Sequence, residues 1–209
     1  MRANQTLQAL EKYKTVFDNM LSILSEHEFD DIVTLDTVIN CIYRSETIMR
    51  METDVKRSII ELGDEGRIVN MQLEELMANV EDEEKLIIQD YNINKEISTQ
   101  SVLEEIRKID KKNLIVSEKI VKLLGYEVSS DILDTNLSPK GYRILSKVPK
   151  MPSSIIEKTV EAFGSLQHIC SASIDELDDV EGIGEIRARI INQSLKRLQE
   201  QYILKSYNI

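Results

Sequence analysis

Turn-forming residues are scarce in this chain and crowded towards one end, and their placement limits what it can fold into. All three prolines, Pro139, Pro149 and Pro152, fall within fourteen residues, and four of the seven glycines, Gly141, Gly164, Gly182 and Gly184, come after residue 140. A many-stranded sheet needs turn residues about every dozen positions and favours aromatic and β-branched side chains. Aromatic residues make up only 5% of the 209 residues. Long helices are therefore expected before residue 138, and short helices with specified turns after it.

Charge divides at the same place. The net charge of −11 argues against nucleic acid for the chain as a whole, because phosphate binding needs local positive charge. Residues 1–137, however, hold 16 Lys/Arg against 28 Asp/Glu, whereas 138–209 hold 10 against 9. The acidic charge belongs to the first two-thirds. No apolar run is long enough to span a membrane, and the first residues lack the apolar stretch of a secretory signal. Cys41 and Cys170 lie far apart without a metal-site pattern, which points to reduced thiols in the cytoplasm.

Helical periodicity places the first helix over about 3–24, with Leu7, Leu10, Phe17, Leu21 and Leu24 in a seven-residue pattern that Lys14 interrupts. That seam is expected to pack inside the helical bundle; the alternative is an interface that would show as dimerisation. A second helix runs from a Thr34 cap to Leu62, with Gly63 beyond its end. Others follow at about 65–79 (Ile68, Met71, Leu73, Leu76), 82–91, 99–109 behind Ser98, and 113–124. Glu81, Asp82, Glu83 and Glu84 read as a solvated cap matched to the helix dipole. His27 reads as a solvated loop residue, and His168 has no zinc-site companions.

The most informative stretch is Val180-Glu181-Gly182-Ile183-Gly184-Glu185-Ile186-Arg187-Ala188, which fits hydrophobic-x-Gly-hydrophobic-Gly-x-x-x-Ala, the turn of a helix-hairpin-helix. Gly182 and Gly184 permit positive φ and leave no side chain between backbone and ligand. Ile183 pins the turn to the core, and Val180 and Ala188 provide the packing between the helices. The first amides of the helix opened by Gly184 have no intrahelical acceptor and form a site for a phosphate oxygen. Ser173 and Glu176 make a capping box before the turn. After it, Ile186, Ile190, Ile191, Leu195 and Leu198 form an inward stripe, leaving Arg187, Arg189, Lys196 and Arg197 outward. A degenerate copy lies upstream: Val148 and Met151 flank a turn without glycine, Pro152 opens a helix through Ile155, Ile156, Val160 and Phe163, and Gly164 stops it. Lys147, Lys150, Met151, Ser153 and Ser154 would serve the phosphate there, as Gly182, Ile183, Gly184, Arg187 and Arg189 would at the other turn. Such contacts position a protein on nucleic acid without reading bases.

These residues, with Ala3-Asn4-Gln5-Thr6-Leu7-Gln8-Ala9-Leu10-Glu11-Lys12-Tyr13, Glu61-Leu62-Gly63-Asp64-Glu65-Gly66-Arg67, Leu123-Leu124-Gly125-Tyr126, Pro139-Lys140-Gly141-Tyr142-Arg143 and Phe163-Gly164-Ser165-Leu166-Gln167, resemble the bacterial DNA-integrity-scanning diadenylate cyclases along essentially the whole chain. The resemblance implies an N-terminal cyclase domain, a helical spine and a C-terminal tandem hairpin domain. The cyclase makes cyclic di-AMP from ATP with Mg²⁺ or Mn²⁺, and branched DNA on the hairpins restrains it. This chain resembles the spine and hairpins alone, entering partway along the first spine helix, since the cyclase signatures Asp-Gly-Ala and Arg-His-Arg do not occur in it. The expected fold is all-α: an elongated spine or linker bundle over 1–138 and a tandem helix-hairpin-helix domain over 139–209. No catalytic or metal residue and no cofactor is expected in this chain. The expected partner is branched DNA, with no membrane, a monomer or weak dimer, and a cytoplasmic, nucleoid-associated location. The alternatives are the cyclic di-AMP-synthesising enzyme, with its catalytic domain supplied elsewhere, and an acidic helical scaffold.

Overall fold

A computed structural model describes residues 2–62, 66–94, 96–110 and 118–206. The protein is all-α apart from one very small antiparallel pairing. Helix α1 (Arg2–Asp30) is followed by β1 (Val33–Thr34), α2 (Leu35–Leu62), α3 (Gly66–Met77), α4 (Val80–Tyr91), α5 (Thr99–Lys108) and α6 (Glu118–Leu123). After β2 (Asn136–Leu137) come α7 (Tyr142–Leu145), α8 (Ser153–Phe163), α9 (Leu166–Ser171), α10 (Ile174–Asp178) and α11 (Gly184–Ser206). Gly63 and residues 113–117, named above for a helix end and a helix start, lie outside the described residues.

The chain forms two compact units that alternate along the sequence. The first takes Met1–Leu21, Val38–Ile88 and Asn92–Val128; the second takes Ser22–Thr37, Gln89–Tyr91 and Ser129–Ile209.

In the first unit the seam on α1 is core. Leu7 and Leu10 pack with Val55, Val69 and Leu73, and Phe17 with Ile48 and Val80. Helix α3 lies rotated from its expected phase. Val69 and Leu73 turn inward, whereas Ile68 and Met71 are 70% and 66% exposed. The i,i+4 pair meets Leu7, Leu10 and Val55, and one face of a helix is all that this contact can cover. Ser98 caps α5, accepting the Ser101 N–H at 3.1 Å. The other end of α5 is held by Arg50, which binds Glu46 at 2.7 Å and donates to the Ile109 carbonyl at 2.7 Å. The acidic start of α4 departs from its expectation at one residue. Glu81, Asp82 and Glu83 occupy the first turn, but Glu84 is fully buried and its carboxyl oxygens accept no hydrogen bond. One turn of helix leaves three side chains outside and carries the fourth into the core.

In the second unit, α1 continues past Leu24 because no glycine or proline interrupts it before the reversal at Asp31 (φ 56°). His27 therefore sits on a helix, half-buried with an enclosed Nδ1 that has no hydrogen-bond partner, rather than in a solvated loop. Thr34 caps α2, accepting the Thr37 N–H at 3.3 Å. Val33 pairs with Leu137 and Thr34 with Asn136, a pairing not foreseen in the sequence. The core of this unit gathers Ile144, Leu145, Val148, Ile156, Val160, Leu166, Ile169, Leu177, Ile183, Ala188, Ile191 and Leu195. Ile186 is a correction to the stripe drawn for α11: it is 80% exposed, because Ala188 and Ile191 hold the inward face at that point. Among the described residues no helix is long and apolar enough to cross a membrane, and no three His, Cys, Asp or Glu side chains are grouped to hold a metal ion.

Candidate nucleic-acid interface

Two helix–turn–helix connections in the second unit share one core and one turn pattern. In the first, α7 leads through Ser146 to Pro149 into Lys150, Met151 and Pro152, and α8 starts at Ser153. In the second, α10 leads through Asp179 and Val180 into Gly182 and Ile183, and α11 starts at Gly184. Lys150 and Gly182 hold matching places between paired apolar residues, Val148 and Met151 in one turn, Val180 and Ile183 in the other. Both are left-handed, at φ 60° and φ 89°. Few side chains other than Asn and Asp adopt that region, so the lysine reproduces at some strain what the glycine does freely.

Packing fixes each turn. Val148 and Ile183 are buried, and Val180 and Met151 pack on the same core half-buried. Ala188 is fully buried where α10 runs along α11. A Cβ on Gly182 would lie 2.9 Å from the Ile155 Cδ1 of α8, so the second turn packs against the start of α8. A Cβ on Gly184 would meet nothing within 4 Å. Gly184 at φ 67° is thus required by backbone conformation alone and faces open space.

The hydrogen bonds sort the remaining site residues. The Ile183 N–H closes the turn onto the Val180 carbonyl at 3.0 Å, and the first-turn amides of α11, from Gly184 onward, have no intrahelical acceptor. Arg187 donates to the Gly182 carbonyl, and Arg189 pairs with Glu185 at 2.5 Å. The Ser173–Glu176 capping box is complete. At the first turn Pro152 is the residue before the helix rather than within it; the Ile155 and Ile156 amides bond to its carbonyl, and Ser153 and Ser154 are exposed in the first turn. Lys150 is exposed. Lys147 is turned inward: its ammonium donates to Ser25 Oγ at 3.1 Å and Tyr202 Oη at 3.0 Å and lies over the Tyr202 ring. Burial tends to raise the Tyr202 hydroxyl, but hydrogen bonding with Ser25 and the Lys147 charge bring it below its ordinary value.

A buried polar network holds the first turn, and it was not foreseen in the sequence. Arg143 has no exposed surface and grips Glu28 of α1, with Nε to Oε1 at 3.1 Å and Nη2 to Oε2 at 2.5 Å; Nη2 also reaches Ser25 Oγ at 2.6 Å. Tyr91 Oη donates to Glu28 Oε1 at 3.0 Å. Asp90 Oδ1 accepts the N–H groups of Gly141 and Tyr142, both at 2.7 Å, and Oδ2 that of Arg143 at 2.9 Å. One carboxylate so caps α7 from 51 positions before Gly141. Burial, with the Glu28 charge, pushes the Asp90 carboxyl up to about 7. The only local hint in the sequence was an arginine beside Ile144 and Leu145; its partners follow no short spacing.

A family model for the DisA bacterial checkpoint controller linker region matches residues 1–133. Three curated relatives, each called DNA integrity scanning protein DisA, align with almost the whole chain. That of Carboxydothermus hydrogenoformans is 51% identical over 201 residues, 96% of this chain and 57% of the relative. That of Acetivibrio thermocellus is 46% identical over 204 residues, 98% and 57%. That of Bacillus subtilis is 42% identical over 203 residues, 97% and 56%. The chain spans a little over half the length of the curated relatives it matches.

Proposed function

The chain belongs to the DisA linker family, and on that premise we propose that residues 139–209 are a tandem helix-hairpin-helix domain that binds the backbone of branched DNA without reading its sequence. The observation that carries this reading is the repeated left-handed turn, Lys150 in one copy and Gly182 in the other, each leading into a helix start. Behind the second turn, open space at Gly184 lets a phosphate approach the first-turn amides of α11, where the helix dipole favours an anion. Behind the first, the amides of Ser153 and Ser154 play the same part, with Lys150 adding charge. Arg187 and Arg189 stand beside the second site. Lys147 serves the first turn by fixing it to Ser25 and Tyr202. Phosphate contacts of this kind position a protein and carry no sequence information directly.

In this reading the chain is the regulatory part of a diadenylate cyclase, cytoplasmic and nucleoid-associated. Residues 1–138 are a spine, and ATP with its divalent metal belongs to a catalytic domain that these residues do not include. The net charge of −11 opposes DNA, so binding is modest, and it weakens with salt as counterions are released. Gly184→Ala tests the reading because the methyl meets nothing in the protein, its φ of 67° adding about 1 kcal/mol of backbone strain. The expected result, by fluorescence anisotropy on a labelled four-way junction, is roughly tenfold weaker binding, on the scale of one charge-assisted hydrogen bond, with helicity unchanged by circular dichroism. Equal affinity of variant and parent overturns the hairpin assignment.

A further inference from the structure

We propose that a basic patch on α5 and α6 of the first unit is a second, separate contact for DNA phosphates; this rests on the DNA-binding reading above. Residues 107–122 contain six Lys/Arg against two Asp/Glu, inside a stretch, 1–137, that is otherwise strongly acidic. Lys108 from the end of α5 and Lys119 and Lys122 from α6 line one shallow cavity of about 320 Å³. Ile109 and Leu123 line it with them, and Glu105 is its acidic member.

The helix dipole favours two of these lysines and not the third. Lys108 stands in the last turn of α5, where the helix dipole favours a cation, and it pairs with Glu105 at 2.7 Å. Lys119 stands in the first turn of α6, the end that disfavours a cation. Lys122, three positions on, stands in the last turn of α6, where the dipole favours it, and shares a face with Lys119. Neither Lys119 nor Lys122 has an ion pair among the described residues, and both are exposed. Lys119 and Lys122 add two ammonium groups to a cavity whose one lining carboxylate, Glu105, is already paired with Lys108. Lysine is a compact, strongly hydrated point charge that needs no fixed approach angle, which suits a phosphodiester backbone bound without base readout. The apolar residues beside the charges can meet the sugar.

The test uses the whole chain with a labelled four-way junction across a range of salt. Lys119→Glu/Lys122→Glu is expected to bind roughly tenfold more weakly at low salt and to lower the slope of log K against log salt by about 2, close to one unit for each phosphate that is no longer neutralised. In a Gly184→Ala background the same pair is expected to abolish the residual binding. Circular dichroism is expected to match the parent, because both side chains are exposed. An unchanged slope and affinity, with Gly184→Ala still impaired, overturns the patch and leaves the hairpins standing. A parent that does not bind the junction overturns both. If the pair alters sedimentation rather than DNA affinity, the patch meets a second copy of the chain, and the assignment to DNA is wrong.

Discussion

At the scale of single residues, the sharpest expectation concerns Glu84. Burial, reinforced by the charge of Glu46, pushes its carboxyl up to about 8 from an ordinary 4.5. Between those values the folded protein holds a proton that the unfolded chain releases, so stability is full below the lower value and is lost as pH rises through the upper one. Glu84→Gln removes that loss. Urea midpoints of the parent are expected to fall between about pH 5 and 8, and those of the variant to fall distinctly less; parallel curves would refute the buried, protonated state. Asp90, raised in the same direction, adds to the slope common to both proteins. A second residue-scale expectation separates the two turns. Lys150→Gly exchanges the left-handed strain of a lysine, about 1 kcal/mol, against the larger backbone entropy of glycine in the unfolded chain. Stability is therefore expected to stay within about 1 kcal/mol of the parent, while the salt slope of DNA binding falls by about one unit, the share of a single phosphate. Gly182→Ala carries the same positive-φ strain as Gly184→Ala, and its methyl also meets the Ile155 Cδ1 at 2.9 Å. Its effect on binding is therefore mixed with an effect on packing, and Gly184→Ala is the better probe.

At the scale of elements, α7 has only four helical residues and cannot persist through its own hydrogen bonds. It stands because Asp90 accepts three of its leading amides and Arg143 is clamped to Glu28. Asp90→Asn leaves one acceptor oxygen for those donors, and a loss of about 1–3 kcal/mol in urea unfolding is expected. Arg143→Met leaves Glu28 charged and buried, at about 3–5 kcal/mol. Combining it with Glu28→Leu is expected to recover much of that loss, since a buried ion pair replaced whole by apolar side chains is often nearly neutral. A double variant no more stable than Arg143→Met would show that the clamp is not the reason for the loss. The contrast with α10 is instructive. Its capping box, Ser173 with Glu176, was legible in the sequence because the two residues are three apart. The cap on α7 was not, because Asp90 and Gly141 are separated by 51 positions and no periodicity links them.

At the scale of the whole molecule, the second compact unit borrows Ser22–Thr37 and Gln89–Tyr91 from the earlier part of the chain. A fragment of residues 139–209 would bury Arg143 without Glu28, and would leave the start of α7 without Asp90. Such a fragment is expected to show poor dispersion in ¹H–¹⁵N spectra where the whole chain gives a folded spectrum; a well-dispersed fragment would contradict the structural role of the network. Much of the fold was nonetheless written locally. The all-α class followed from the scarcity of glycine, proline and aromatic residues. Helix positions, the caps at Thr34, Ser98 and Ser173, and the burial of the α1 seam followed from periodicities and spacings of three or four residues. These are decided by the backbone geometry of one helix, so a sequence displays them directly. What only the tertiary structure decided is which face or charge ends up enclosed: Ile68, Met71 and Ile186 outside, Glu84 and Arg143 inside, Lys147 turned to Ser25 and Tyr202. Each depends on partners tens of residues away, and burial is a property of the packed neighbours rather than of the residue that they cover.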